Sequence, residues 1–240
     1  MNIVLTMAGK YSRFRIFASK IPKYLLPLGN QSILGEVIDQ IKFSCPNAKF
    51  YLIANRHDQI FYPILKAIML KKDIPLAHLV YIDDTRSQLE TAMKSESLIG
   101  ESEWDDPVAF TNIDTIIMYR KSYYEELSAL KRDEALLDVF LGKSSQYSYV
   151  GFVGDQLDHI VDKRVVSRWA CSGLYGFGSF GFVKESFSEL RSVKVEGNFT
   201  DLYNLLLKKN FEVKVSYSSK KADTVILGTP EEYTINIHRF

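Results

Sequence analysis

The sequence predicts an α/β fold, a Rossmann-like and mostly parallel sheet flanked by helices. Two observations carry this. Up to Asp114 the chain alternates short β-rich apolar runs with stretches of helical period. The first run, Ile3–Thr6, leads into Gly9, as a buried parallel strand enters a ligand-facing loop. Parallel neighbours need crossovers, which are right-handed and put helices over both sheet faces.

The elements follow in order. After Ile3–Thr6, the residues Ile33, Leu34, Val37, Ile38 and Ile41 recur at helical spacing. Phe50–Ala54 is the next strand, and Ile60, Ile64, Leu65, Ile68 and Met69 mark the next helix. Leu79–Ile82 is a third strand, with a weaker helix through Leu89, Met93 and Leu98, and Pro107–Thr111 is the fourth. Beyond it the pattern changes. Ala135–Leu141, Tyr147–Val153, Val165–Phe177, Phe211–Tyr217 and Thr224–Leu227 read as strands. Phe182–Leu190 and Thr200–Lys209 read as helices, and Pro230 opens a last helical turn. No Pro/Gly/Ser-rich linker and no internal repeat divides the chain. The expected organisation is one domain over 1–240, with a nucleotide-type half at 1–120 and an acceptor half at 121–240.

Composition excludes several classes. The 240 residues carry 30 Lys+Arg against 29 Asp+Glu, and a net charge of +1 gives no field to hold a polyanion such as nucleic acid. With 46% hydrophobic and 13% aromatic residues, wholesale disorder is excluded. Cys45 and Cys171 match no metal spacing, and a disulfide scaffold is not expected. No apolar run reaches the roughly 18 residues of a membrane helix. The opening Met1–Lys10 lacks a basic leader, so the cytoplasm is the expected compartment. His57, His78, His159 and His238 show no ligand spacing and read as surface residues, as do Lys208-Lys209 and Lys220-Lys221. Cys171 reads as a packed core thiol.

Three elements at strand ends carry candidate chemistry. In Ala8-Gly9-Lys10-Tyr11-Ser12-Arg13-Phe14, a glycine lets backbone N–H groups approach a phosphate, and Lys10, Ser12 and Arg13 add donors and charge. Taken alone, the segment is more often an ordinary turn with solvated basic residues. In Pro22-Lys23-Tyr24-Leu25-Leu26-Pro27, two prolines fix the backbone around Lys23. A lone lysine there is more often a surface residue, but behind a glycine loop it becomes a phosphate ligand candidate. Asp114 closes the fourth strand, where a carboxylate is expensive to bury unpaired and either takes a metal ion or caps the next segment.

In this order, the three resemble the opening of the sugar-phosphate nucleotidyltransferases, the pyrophosphorylases with a glycosyltransferase-A-like Rossmann fold, and most closely a capsule-biosynthesis branch. Met7-Ala8-Gly9, Ser12-Arg13-Phe14, Pro22-Lys23 and Leu26-Pro27 carry the resemblance. Val161-Asp162-Lys163, Ala170-Cys171-Ser172-Gly173-Leu174-Tyr175, Phe199-Thr200-Asp201-Leu202 and Leu227-Gly228-Thr229-Pro230-Glu231-Glu232 extend it along the chain. It implies attack of an acceptor phosphate on the α-phosphorus of a nucleoside triphosphate, with pyrophosphate released. Arg13, Lys23 and Asp114 would be catalytic, with Mg²⁺ on Asp114. Ala8, Gly9, Lys10, Ser12 and Gln88 would bind the nucleotide, while Lys163 would take the acceptor's phosphate and Gly173 would leave space for its ring. The partners implied are a triphosphate and a phosphorylated small molecule, a sugar 1-phosphate first, and a homo-oligomer is compatible.

Three departures from the family pattern stand out. Tyr11 replaces a second glycine, Arg86-Ser87-Gln88-Leu89 replaces a small-residue pair near the base, and Ile226 replaces an aspartate that often ligates a second metal. Asp201 or Asp223 is then the expected substitute ligand. The competing readings are a cytidylyltransferase for a phospho-alcohol or phospho-amide, a module that binds nucleotide without turnover, and, last, a glycosyltransferase. Asn112-Ile113-Asp114 offers the last of these only half of an Asp-x-Asp pair. The bulk of Arg86 and Gln88 disfavours a purine. In a thermal-shift series with Mg²⁺ and each of the four triphosphates, CTP or UTP should stabilise the protein most. A larger shift with ATP or GTP overturns that reading of the two side chains.

Overall fold

The structure, a computed structural model, describes residues 1–14, 21–194, 196–218 and 223–240; Lys220-Lys221 lie outside them. Strand β1 (Asn2–Met7) is buried at all six positions, as befits a central parallel strand covered on both faces. Ile3, Leu5 and Met7 face one core, and Val4 faces the other. A small hairpin, β2 (Pro27–Leu28) and β3 (Gln31–Ser32), precedes helix α1 (Ile33–Ser44), whose N-cap Ser32 accepts from the Gly35 N–H. The apolar stripe of α1 is the expected one: Ile33, Leu34, Val37, Ile38 and Ile41 are all buried.

Strand β4 (Lys49–Asn55) lies parallel to β1, and β5 (Leu79–Ile82) lies parallel to β4. Helix α2 (Tyr62–Lys71) lies between them in sequence and α3 (Gln88–Met93) follows β5. The apolar face of α2 is narrower than expected. Leu65 and Met69 are buried, but Ile60 is 74% exposed and sits in a 3-10 turn before the helix. Pro63 in the first turn sets the helix start instead.

The chain then returns across β1. Strand β6 (Val108–Asn112) pairs parallel with β1 on the side opposite β4. The order of crossovers therefore reverses between β1 and β6, and a crevice opens beyond their carboxyl ends. A turn at Ile113-Asp114 leads into β7 (Thr115–Ile117) and then α4 (Lys121–Ser128). The remaining strands are β8 (Ala135–Leu141), β9 (Ser148–Val153), β10 (Gln156–Asp162), β11 (Trp169–Phe177), β12 (Val213–Tyr217) and β13 (Thr224–Ile226). Helices α5 (Phe180–Val193), α6 (Phe199–Lys208) and α7 (Pro230–Asn236) complete the chain.

Nine strands form one mixed sheet along the path β10-β9-β11-β6-β1-β4-β5, with β8 on β11 and β12 on β8. Strand β11 runs antiparallel to β6 and joins the two halves of the chain. Among the described residues, no helix is long and apolar enough to cross a membrane. The short strands β2, β3 and β7 escape the periodicity reading, and so do two longer elements. Helix α4 is polar over most of its surface and buries only Tyr123, Tyr124 and Leu127. Strand β10 is an edge with one buried residue, Ile160, whose backbone N–H and C=O are both bonded by the Asn204 amide from α6. The strand expected from Val165 begins only at Trp169.

One buried ion pair ties the second half together. Arg120 Nε lies 2.9 Å from Asp138 Oδ1, with the two residues 3% and 0% exposed. Arg120 also donates to Thr224 Oγ1 at 2.7 Å, linking α4's start to β8 and β13. Burial pushes the Asp138 carboxyl up, and the guanidinium opposes that shift. Arg120→Ala should therefore cost about 3–5 kcal/mol in urea unfolding, since it strands a buried carboxylate. Removing both charges, as Arg120→Met with Asp138→Leu, should recover most of that loss. A single-variant loss under about 1 kcal/mol, the scale of a surface pair, would show that the pair is dispensable.

Candidate active site

The crevice between β1 and β6 is closed at its floor by three polar side chains. The Thr6 hydroxyl donates to the Thr111 carbonyl at 3.0 Å, which commits its only proton. It can then only accept from Gln88, whose Nε2 lies 3.0 Å away. The second proton of that amide goes to Asn112 Oδ1. Gln88, carried in by the first turn of α3, is thereby fixed with both N–H bonds spent and its carbonyl oxygen left to meet a ligand. Helix α3 holds its own position through Ser87, whose Oγ accepts from the Glu90 N–H.

Above this floor the β1 loop forms one wall. Ala8 is buried, while Gly9, Lys10, Ser12 and Arg13 are exposed along the cleft. Lys10 reaches Asp84 at 3.2 Å, between two solvated groups. Tyr11 stands where the glycine was expected, and its φ of +46° is the left-handed conformation that glycine adopts without cost. Its hydroxyl returns to the Met7 carbonyl and its ring meets Tyr24 edge-on at 6.0 Å, so tertiary contacts hold the disfavoured backbone.

Lys23 is the most constrained residue of the site. Pro22 and a 3-10 turn over Lys23–Leu25 present it, and it is only 6% exposed. Its ammonium lies 2.9 Å from Asp114 Oδ2, 2.9 Å from the Gly228 carbonyl and 4.7 Å from the centre of the Phe14 ring. The carboxylate at the end of β6 thus has a lysine partner within the chain itself. Asp114 remains partly open, at 28% side-chain exposure, and its backbone carbonyl accepts from Leu227 N–H at 2.7 Å.

Two cavities meet here. The larger, of about 730 Å³, is lined by Ala8, Gly9, Lys10, Ser12, Arg13, Lys23, Gln88 and Asp114, so eight of the expected residues converge on it. The smaller, of about 220 Å³, is lined by Tyr147, Ser148, Cys171, Gly173 and Glu232 among others. Arg13, Asn112, Asp114 and Gly228 border both.

Gly173 lines the smaller cavity. Its φ is +89°, and a Cβ there would lie 2.5 Å from Asn112 Nδ2. The space on the Cβ side of Gly173 is taken by Asn112, so only glycine fits there beside the cavity. Lys163 lines neither cavity; its exposed residue follows β10, with its N–H donating to the Tyr147 carbonyl at 3.0 Å. The two substitute metal ligands are held elsewhere. Asp201 closes a capping box with Asn198 at the start of α6 and pairs with Lys194 at 2.5 Å. Asp223 lies at the far end of β13, where its carbonyl accepts from Met118, while Leu227 at the other end reaches Asp114. Among the described residues, no group of three His, Cys, Asp or Glu side chains could enclose a metal.

Thr6, Asn112, Tyr147 and Glu232 were given no site role from the sequence, although Asn112 and Glu232 stand in the quoted motifs. Thr6 carries a faint signal, a hydroxyl inside an apolar run. Glu232 closes a helix capping box with Thr229, which gives it a structural role beside its place in the cavity wall.

No family model matches the chain, and no curated protein matches it in sequence. Solved structures match its fold over nearly its whole length. A nucleoside-diphosphate-sugar pyrophosphorylase from Vibrio cholerae RC9 superposes with a TM-score of 0.75 at 22% identity, covering 98% of this chain and 99% of that one. A Bacillus anthracis protein assigned as a glucose-1-phosphate thymidylyltransferase, crystallised with sucrose, gives 0.80 at 17% identity over 99% and 94%. A UDP-glucose pyrophosphorylase bound to UDP-glucose gives 0.74 at 15% over 99% and 97%. At these identities the likeness establishes the architecture: a mixed, mostly parallel α/β sheet flanked by helices, shared with these nucleotidyltransferases.

Proposed function

We propose that the protein is a nucleotidyltransferase, joining a nucleoside triphosphate to a phosphorylated small molecule and releasing pyrophosphate. The observation that carries this is the meeting of two cavities at a buried lysine and a strand-end carboxylate. A two-substrate displacement needs that arrangement, with a large site and a small one sharing the wall where the reacting atoms meet. The names of the three structural neighbours point the same way, and they make a sugar 1-phosphate the first acceptor to try.

In this reading the triphosphate lies over the β1 loop, with Lys10, Ser12 and Arg13 against its β- and γ-phosphates. An oxygen of the acceptor phosphate attacks the α-phosphorus. The new P–O bond forms as the bond to the β-phosphate breaks, and pyrophosphate leaves with the electron pair. The nucleophile is already anionic, so no general base is required, and positioning and charge neutralisation carry the rate. Lys23 neutralises charge at the α-phosphate, from a position that its two oxygen partners and the Phe14 ring define. Gln88 offers its carbonyl oxygen to an N–H of the base, with a pyrimidine preferred.

The donor set suits Mg²⁺, which typically takes one or two carboxylates and completes its shell with substrate phosphates and water. Asp114 is the residue that would hold it, and the ion would supply charge neutralisation on the phosphates. Ile226 contributes no ligand. A role in capsule or other surface glycan assembly fits the capsule-branch resemblance of the opening motifs.

Pyrophosphate release with Mg²⁺, the four triphosphates and a panel of acceptor phosphates tests the reading. Lys23→Ala should lower kcat by roughly 10²–10³, the loss typical of one transition-state charge donor. Asp114→Asn should abolish turnover with the circular dichroism spectrum retained. Triphosphate binding without any pyrophosphate release would favour the module that binds without turnover, and full activity in excess chelator would remove Mg²⁺ from the scheme.

A further inference from the structure

Three charged side chains line the smaller cavity: Arg13, Asp114 and Glu232. Arg13 and Asp114 stand on the wall shared with the larger cavity, and Asp114 already faces Lys23. Glu232 lines only the smaller of these two. It is pinned there by two neutral donors, the Thr229 N–H at 3.0 Å on Oε2 and the Tyr147 hydroxyl at 3.1 Å on Oε1. Neither bond cancels its charge, and each oxygen keeps a lone pair for a ligand. Burial and the nearby carboxylate both push the Tyr147 phenol up, so Tyr147 stays a donor. Tyr147 and Tyr175 also line the cavity.

The other carboxylate that might greet an acceptor is turned away. Asp162 accepts from Asn198 Nδ2 at 2.7 Å and from Thr200 Oγ1 at 2.6 Å, and it does not line the cavity. Glu232 and Asp114 instead converge on one short stretch of backbone. A Cβ built on Gly228 would lie 3.2 Å from Glu232 Oε2 and 3.6 Å from Asp114 Oδ2. A group bound at Glu232 is therefore close to where the acceptor's phosphate must react.

We infer that the smaller cavity selects a phosphate monoester carrying a protonated amine, and that Glu232 is the residue that reads the ammonium. The inference rests on the transfer reading for the direction in which the acceptor's phosphate points. Amino sugar phosphates and phosphorylated alkylamines share the required chemistry, and paired probes distinguish them.

The experiment is calorimetric binding to the full chain, with Mg²⁺ and a nonhydrolysable α,β-methylene CTP present. Two matched pairs serve as probes: glucosamine 1-phosphate against glucose 1-phosphate, and phosphoethanolamine against glycerol 3-phosphate. In at least one pair, the amine should bind roughly tenfold or more tightly, the scale of a hydrogen-bonded charge. The pair that discriminates identifies the amine's source. Glu232→Gln keeps the capping box, which accepts Glu or Gln at that position, and should bring the ratio close to one. Equal or weaker binding of the amine in both pairs overturns the inference. So does a preference that survives Glu232→Gln, or a raised Mg²⁺ requirement in that variant, which would place Glu232 on the metal side. Pyrophosphate release, measured in parallel with CTP itself, reports on transfer separately. Discriminated binding without release would defeat the transfer reading and leave the amine-selective cavity standing.

Discussion

The site depends on keeping one ammonium out of water. Lys23 is joined to Asp114, 91 residues away in sequence, and to Gly228, 205 residues away, so one buried charge ties three distant segments. Burying a lysine costs several kcal/mol unless oxygen partners replace its hydration, and here a carboxylate and a carbonyl do so. The Phe14 ring lies against the ammonium. The same contacts that make the lysine tolerable also aim it at the junction of the two cavities. Stability and positioning are then a single requirement, met by the Pro22 turn, the β6–β7 turn and the backbone that follows β13.

A second constraint runs across the floor of the crevice. Thr111 sets the Thr6 hydroxyl, Thr6 and Asn112 set the Gln88 amide, and Asn112 packs into the space that Gly173 leaves open. Each link has a defined donor and acceptor, so the chain of bonds has a direction as well as a geometry. This network connects β1, β6, α3 and β11 at the point where the crossover order reverses. It also couples the walls of the two cavities, because Asn112 borders both.

The fold was legible wherever burial was strong on one face or both. The stripe of α1 appeared in full, and β1 announced itself as an unbroken apolar run. Helix α4 and strand β10 did not appear, and for related reasons. One is mostly polar and the other is an edge whose backbone is satisfied by an asparagine from α6, so neither writes a period into the sequence. Of the site, the residues of the β1 loop, Lys23 and Asp114 were legible because strand ends and proline brackets are local signals, whereas Gln88 was named only through the family resemblance. Tyr147 and Glu232 were not legible, because a capping box accounts for Glu232 locally and nothing within a few residues of Tyr147 distinguishes a cavity wall from a surface.

By itself, then, the sequence determined the α/β alternation, the loop after the first strand and the set of charges that such a loop can gather. These follow from short-range physics: periodicity, backbone freedom at Gly9 and the rigidity of Pro22. The tertiary structure alone decided what those charges meet. It gave Asp114 a lysine, packed Asn112 against Gly173, assigned Asp201 to a helix cap and moved Asp223 to the far end of β13. Apart from the local cap at Asp201, those outcomes depend on which segments the sheet order brings together, such as Lys23 and Asp114, which are 91 residues apart. A carboxylate's role follows from its nearest donor in space, and sequence spacing does not encode that distance.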